Sequence, residues 1–210
     1  MLHFATVLGP AWSLVLFTLE EHWKMPYSPA FVRAVQRGQI EIRYLPPATQ
    51  LTSSRDVLDF LTRPWIWEQV ESAHRVLMFQ LDSILCSKSM YTVEAFFEYD
   101  FVGAPIDPKY GAGYNGGLSL RNPKLFASIT READFGQSGQ EFEDQWFYAE
   151  ALERGPVLPT QLAAREFAVE TIYQERALGY HQPERWQHDK MEEIREWGPE
   201  VGMLVGRRAV

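Results

Sequence analysis

The amino-acid sequence predicts an α/β domain built on a mixed, mainly parallel sheet with helices against it. Three observations predict it. Strand, helix, strand, helix and strand patterns alternate over residues 13–82, as parallel strands joined by crossover helices do. The second half changes texture, with short strands around a glycine-rich stretch followed by helices, which fits an antiparallel portion of the same sheet. The 210 residues, 46% hydrophobic and 23% charged, are enough for one substantial core without disulfide or metal staples.

The elements follow in order. Leu2 to Leu8 reads as the end of a helix closed by Gly9-Pro10, and Ser13 to Thr18 (SLVLFT) as a buried strand. A chain opening on a helix carries the expectation that a first strand, belonging before residue 1, is missing. Ser28 followed by Pro29 starts a helix that runs through Ala30 to Arg37 and stops at Gly38. Ile40 to Leu45 (IEIRYL) alternates apolar and polar residues as a half-buried strand does, and two prolines end it. Ser54 to Ser72 opens on a serine-rich cap, places Val57, Leu58, Leu61 and Ile66 at helical spacing and is interrupted by Pro64, so it reads as two short helices or one kinked one. Val76 to Leu81 (VLMFQL) is the next buried strand. Asp82 stands at its carboxyl edge, where ligands of parallel sheets sit. Phe101 to Ile106 is a short strand, Gly111 to Gly117 a glycine-rich loop, and Leu118 to Arg121 a strand ended by Asn122-Pro123. Lys124 to Glu132, Glu143 to Arg154 and Lys190 to Trp197 read as helices. With no repeat, low-complexity tract or linker, residues 1–210 are expected to form a single domain.

Composition narrows the function. The 28 acidic and 20 basic side chains give a net charge of −8, which repels a phosphate backbone, so nucleic acid is set aside. A phosphorylated small molecule stays open, because a divalent cation can bridge carboxylates to phosphate oxygens. The single cysteine, Cys86, excludes an intrachain disulfide and a cysteine-based zinc site, and is compatible with a reducing compartment. Trp12 to Leu19 is far short of the ~20 residues of a membrane span, and no secretion signal or anchor is visible. Aromatic residues reach 14%, an excess that suits pockets for flat bases or sugar rings as well as a core.

Four places carry candidate chemistry. Asp82 can hold Mg²⁺ or Mn²⁺ on a diphosphate, or simply cap the turn containing Ser83. In Gly113-Tyr114-Asn115-Gly116-Gly117, paired glycines admit a ligand to the backbone, Asn115 can bond hydroxyls and Tyr114 offers a stacking face; an ordinary turn is the alternative. Glu143 and Asp144 precede an apolar helical stretch containing Trp146. They can serve the helix dipole, or one of them can act as general base with a raised proton affinity. A glycoside hydrolase would need its two carboxylates about 5–10 Å apart across a cleft, which adjacent residues do not supply. His181 lies in a turn, Gly179-Tyr180-His181-Gln182-Pro183, which favours a ligand or acid/base role over packing. His3, His22, His74 and His188 fit no zinc signature.

In this order, Phe79-Gln80-Leu81-Asp82-Ser83, Gly103-Ala104-Pro105-Ile106, Asn115 to Arg121 (NGGLSLR), Glu143 to Tyr148 (EDQWFY) and Gly179 to Pro183 (GYHQP) resemble an uncharacterised family, described as a domain of unknown function and common in fungi. That family is similar in turn to nucleotide-sugar-dependent glycosyltransferases of the GT-A fold. The resemblance implies a three-layer fold with a central, mainly parallel sheet flanked by helices, and transfer of a sugar from a nucleotide-sugar donor to a carbohydrate or other hydroxyl acceptor. It implies a divalent metal, Mn²⁺ or Mg²⁺, on Asp82 and His181, donor and acceptor contacts from Gln80, Ser83, Tyr114, Asn115, Gly116, Gly117 and Trp146, and a base at Asp144 or Glu143. One departure stands out: the family pattern has two acidic residues separated by one, and Gln80 occupies the first position. Gln80 also supports the rival reading, a non-catalytic carbohydrate- or nucleotide-binding domain that keeps the fold.

Overall fold

The structure, a computed structural model, describes residues 1–204. Two compact units divide the chain at Ser53/Ser54. The first holds α1 (Leu2–Leu8), β1 (Leu14–Thr18), α2 (Pro29–Gln36) and β2 (Ile40–Tyr44). β1 and β2 pair in parallel from Leu14–Ile40 to Thr18–Tyr44, with α2 as the crossover, as the alternating pattern predicts. Ser28 caps α2 by accepting the Phe31 N–H at 3.3 Å, Pro29 occupies the first turn, and the helix buries Phe31 and Ala34.

The second unit contains α3 (Ser54–Leu61), α4 (Pro64–Glu68), β3 (Val76–Phe79), β4 (Ser83–Leu85), β5 (Phe101–Pro105) and β6 (Tyr114–Arg121). After these come α5 (Pro123–Glu132), α6 (Glu143–Leu152), α7 (Gln161–Phe167), β7 (Ala168–Val169), β8 (Gly179–His181), α8 (Pro183–Trp186) and α9 (Met191–Trp197). Its strands form two three-stranded sheets, ordered β3-β6-β5 and β4-β8-β7. In the first both pairings are antiparallel; in the second β4 runs antiparallel and β7 parallel to β8.

The chain is therefore mixed α/β, but three small sheets stand where one mainly parallel sheet was expected. The apolar run of β3 announces burial and says nothing about the direction of its neighbour, which is the antiparallel β6. β4, β7, β8 and α7 escape the sequence patterns. The three strands span 3, 2 and 3 residues, too short for an alternation of four or more to register.

The glycine-rich segment also differs from expectation, for Asn115, Gly116 and Gly117 lie inside β6. The pairing of β6 with β5 steps from Gly103–Ser119 to Pro105–Tyr114, so Asn115 to Leu118 bulge out of the ladder. Gly103 faces this bulge, and a Cβ there would come within 2.4 Å of the Asn115 carbonyl oxygen.

Packing fixes the sheet from one side with aromatic rings. α5, capped by Asn122, buries Phe126, Ala127 and Ile129 completely. The Phe126 ring lies 4.8 Å from Trp67 of α4, 5.2 Å from Phe101 of β5 and 4.5 Å from Phe147 of α6. Each such ring contributes roughly 1.5–3 kcal/mol by burial. A second core gathers Ile84, Val169, Tyr180, Met191, Ile194 and Val201 around β8. Among the described residues no helix is long and apolar enough to cross a membrane.

Candidate functional site

Strand ends converge around β6. The β3–β6 register ends at Phe79–Leu118, and one step further the Gln80 N–H donates to the Gly117 carbonyl at 2.8 Å. Ser83 holds the turn after Gln80, donating to the carbonyls of Gln80 and Gly117 at 2.6 and 3.0 Å. Ser83 also pairs with His181, which ends β8 and is buried. The turn expected at His181 is thus a strand end. The His181 ring lies against Gly117, where a Cβ would stand 2.3 Å from Nε2.

His181 is held from both nitrogens. Nδ1 lies 2.9 Å from Glu170 Oε1, while Nε2 lies 3.3 Å from Asp82 Oδ1 and 3.2 Å from Gln80 Oε1. Burial opposes the charged imidazolium, but hydrogen bonds and charge from Asp82 and Glu170 outweigh it and raise its pKa to about 9. Burial likewise opposes the Asp82 charge, yet the His181 bond and charge, with the Gln182 amide at 2.7 Å, bring its pKa down to about 2. Asp82 therefore bonds His181 and Gln182 through its carboxylate, which is more than a turn cap requires.

The same Glu170 oxygen accepts the Asn115 amide N–H at 2.8 Å. The Asn115 amide oxygen then accepts the Gly117 N–H at 2.8 Å. Glu170 is 6% exposed, follows the two-residue strand β7 and was not among the sequence candidates. A carboxylate directly after the apolar Phe167-Ala168-Val169 is its only signal, the same one that marks Asp82.

On the other side of the bulge stand the two acids at the start of α6, both buried. Asp144 accepts the Gly116 N–H at 3.0 Å and the Gln145 N–H at 2.8 Å. Glu143 Oε1 lies 3.9 Å from Arg121 Nη2. Burial and then the Asp144 charge push the Glu143 carboxyl up, against the pull of Arg121. Burial also raises Asp144, which its two backbone bonds and Arg121 partly offset. Arg121 was quoted in the sequence pattern without a role. It is fully buried, bonds Ser119 and Gly116, and stands 5.0–5.6 Å from the rings of Trp67, Phe101, Phe126 and Phe147.

Asp82, Gln80, Ser83, His181, Asn115, Gly116, Gly117 and Asp144 are thus joined by hydrogen bonds or direct contact, with Glu143 at Arg121 beside them. Two expected residues differ. Tyr114 is 7% exposed, its ring edged by Phe101 and Tyr148 at 5.4 and 5.5 Å and its hydroxyl bonded to the Pro159 carbonyl, so it offers no open stacking face. Trp146 is 1% exposed and packs on Phe135 and Phe147. Among the described residues no group of three or more His, Cys, Asp or Glu side chains is arranged to hold a metal ion.

Among curated proteins none matches the chain. Residues 39–181, which span β2 to β8 and every residue of the cluster, match the family described as protein of unknown function, DUF5672. That stretch is more than half of the chain, and the chain belongs to this family.

Proposed function

We propose that this protein transfers a sugar from a nucleotide-sugar donor to a hydroxyl acceptor on a GT-A-like fold. The observation that carries this reading is the convergence of Gln80, Asp82, Asn115, Asp144 and His181 on the β6 bulge, although Gln80 and His181 are 101 positions apart in the chain. In the proposal, Asp82 and His181 Nε2, with Gln80 as a neutral third ligand, would hold a divalent metal, which would neutralise the diphosphate leaving group. His181 Nε2 lies 3.3 Å from Asp82 Oδ1 and 3.2 Å from Gln80 Oε1. These three side chains are close enough to one another to serve one cation, which would take the place of the His181 Nε2 proton.

Asn115, Gly116 and Gly117 line the sugar. Asp144 takes the proton of the acceptor hydroxyl as its oxygen bonds to the anomeric carbon and the bond to the diphosphate breaks, with inversion. Two backbone N–H bonds hold the Asp144 carboxylate in place, and burial raises its basicity. A base so placed typically supplies 10²–10⁴ in rate. A second reading, a carbohydrate- or nucleotide-binding domain without turnover, is favoured by the neutral Gln80 and by the 6% and 8% exposure of Glu143 and Asp144.

Thermal-shift titration with nucleoside diphosphates and nucleotide sugars, with and without Mn²⁺, tests both. Transfer requires a metal-dependent rise that Asp82→Asn abolishes, together with sugar release or transfer that Asp144→Asn abolishes. A nucleotide-dependent rise without turnover selects the binding domain, and no rise with any nucleotide rejects transfer and nucleotide binding alike, leaving carbohydrate binding to a titration with free sugars.

A further inference from the structure

We propose that Glu170 is a positioning residue that ties the metal side of the site to its sugar side, through one carboxylate oxygen shared by His181 and Asn115. The inference rests on the reading just given. Its geometry begins in the strand register. β7 runs parallel to β8, pairing Ala168 with Gly179 and Val169 with Tyr180, so the next step sets Glu170 alongside His181. Glu170 Oε1 then lies 2.9 Å from His181 Nδ1 and 2.8 Å from Asn115 Nδ2.

An ionised carboxylate only accepts hydrogen bonds, so both partners must present N–H groups to it. That choice fixes the opposite end of each side chain. For His181, Nδ1–H toward Glu170 leaves Nε2 directed at Asp82 and Gln80, the arrangement in which a carboxylate orients a metal-binding histidine. For Asn115, the amide nitrogen toward Glu170 leaves the amide oxygen on the Gly117 N–H at 2.8 Å, which shapes the bulge. The backbone of Glu170 is itself pinned: its carbonyl accepts Gln187 Nε2 at 2.5 Å, and the next residue, Thr171, accepts the Asp107 N–H at 2.9 Å. Glu170 is nearly inaccessible at 6% exposure. It acts on a ligand only through His181 and Asn115.

The experiment uses the full chain, ¹⁵N-labelled, as wild type, Glu170→Gln and Glu170→Leu. In metal-free protein the His181 ring nitrogens and the Asn115 side-chain amide are followed by NMR, and Mn²⁺ binding is followed by the EPR signal of the free ion. Glu170→Leu is expected to shift the His181 and Asn115 signals together and to weaken Mn²⁺ binding 10–100-fold. Glu170→Gln, which keeps one accepting oxygen, is expected to shift both signals less. A leucine variant with an intact backbone spectrum that moves only one of the two signals, or that binds Mn²⁺ as wild type does, overturns the inference. If Glu170→Leu fails to fold, Glu170→Gln decides by the same paired shift. Failure of wild type to bind Mn²⁺ would count against the metal in the reading above, and the paired shifts would still judge Glu170.

Discussion

Arg121 Nη2 lies 3.9 Å from Glu143 Oε1, and the two side chains are 0% and 8% exposed. The guanidinium is enclosed by four aromatic rings and its Nη1 has no hydrogen-bond partner. Such a group is costly to bury, and it is retained beside the only adjacent pair of buried acids among the described residues. Its charge lowers the proton affinity of both Glu143 and Asp144.

Arg121→Met should therefore destabilise the protein by about 3–5 kcal/mol at pH 8, the usual cost of stripping one partner from a buried pair. The loss should shrink at pH 5, where the two acids can take up protons instead of standing unpaired. Adding Glu143→Gln to Arg121→Met should recover part of the stability at pH 8. Urea midpoints of the three proteins at both pH values measure this, and a loss independent of pH would assign the effect to packing alone.

Glu143 makes a pH prediction of its own. Its folded pKa is raised above the ordinary value of 4.5, by burial first and the Asp144 charge second. A raised carboxyl means the folded state binds the proton more tightly, so its contribution to stability is lost as pH climbs from 4.5 through the folded value. Glu143→Gln removes that loss. The variant should gain on wild type between pH 5 and pH 8, at about 1.4 kcal/mol per unit of pKa difference. Parallel stability curves for the two proteins would contradict this.

Gly117→Ala tests the close approach of β6 to His181. A Cβ would meet the imidazole Nε2 at 2.3 Å, and the ring cannot swing away without breaking its 2.9 Å contact to Glu170. Overpacking of this kind costs about 1–3 kcal/mol. The variant should fold with a lower melting temperature and lose any Mn²⁺-dependent thermal shift.

How much of this was legible in the sequence depends on element length. α2, α5 and α6 carry cap residues or patterns of eight or more positions, β2 carries a clear alternation ended by two prolines, and the expected and observed ranges of all four agree within a residue or two. His181 ends a strand of 3 residues and Glu170 directly follows one of 2, and their place depends on the β4–β8 and β7–β8 registers. No local pattern encodes that register. Asp82 and the Glu143-Asp144 pair were visible as acids at element ends, whereas Arg121 was read only as the last residue of a strand. Only packing from α4, α5 and α6 turns it inward.

The Asp82–His181 contact gives the last prediction, in metal-free protein. His181 has a folded pKa of about 9, raised above 6.5 because its two carboxylate partners outweigh burial. Its stabilising contribution is fully present below pH 6.5 and is lost as pH rises through 9. Asp82 has a folded pKa of about 2, lowered from 3.8 because its bonds to His181 and Gln182 outweigh burial. Its contribution is present above pH 3.8 and is lost as pH falls through 2. The pair therefore stabilises the fold most between pH 3.8 and 6.5, and Asp82→Asn should lower stability most across that window and less above pH 9, where only the Gln182 bond is left to lose. The His181 titration should follow: its NMR midpoint should fall in Asp82→Asn, because one of the two charges holding the proton is gone. An unmoved midpoint would mean that Glu170 alone sets the charge of His181.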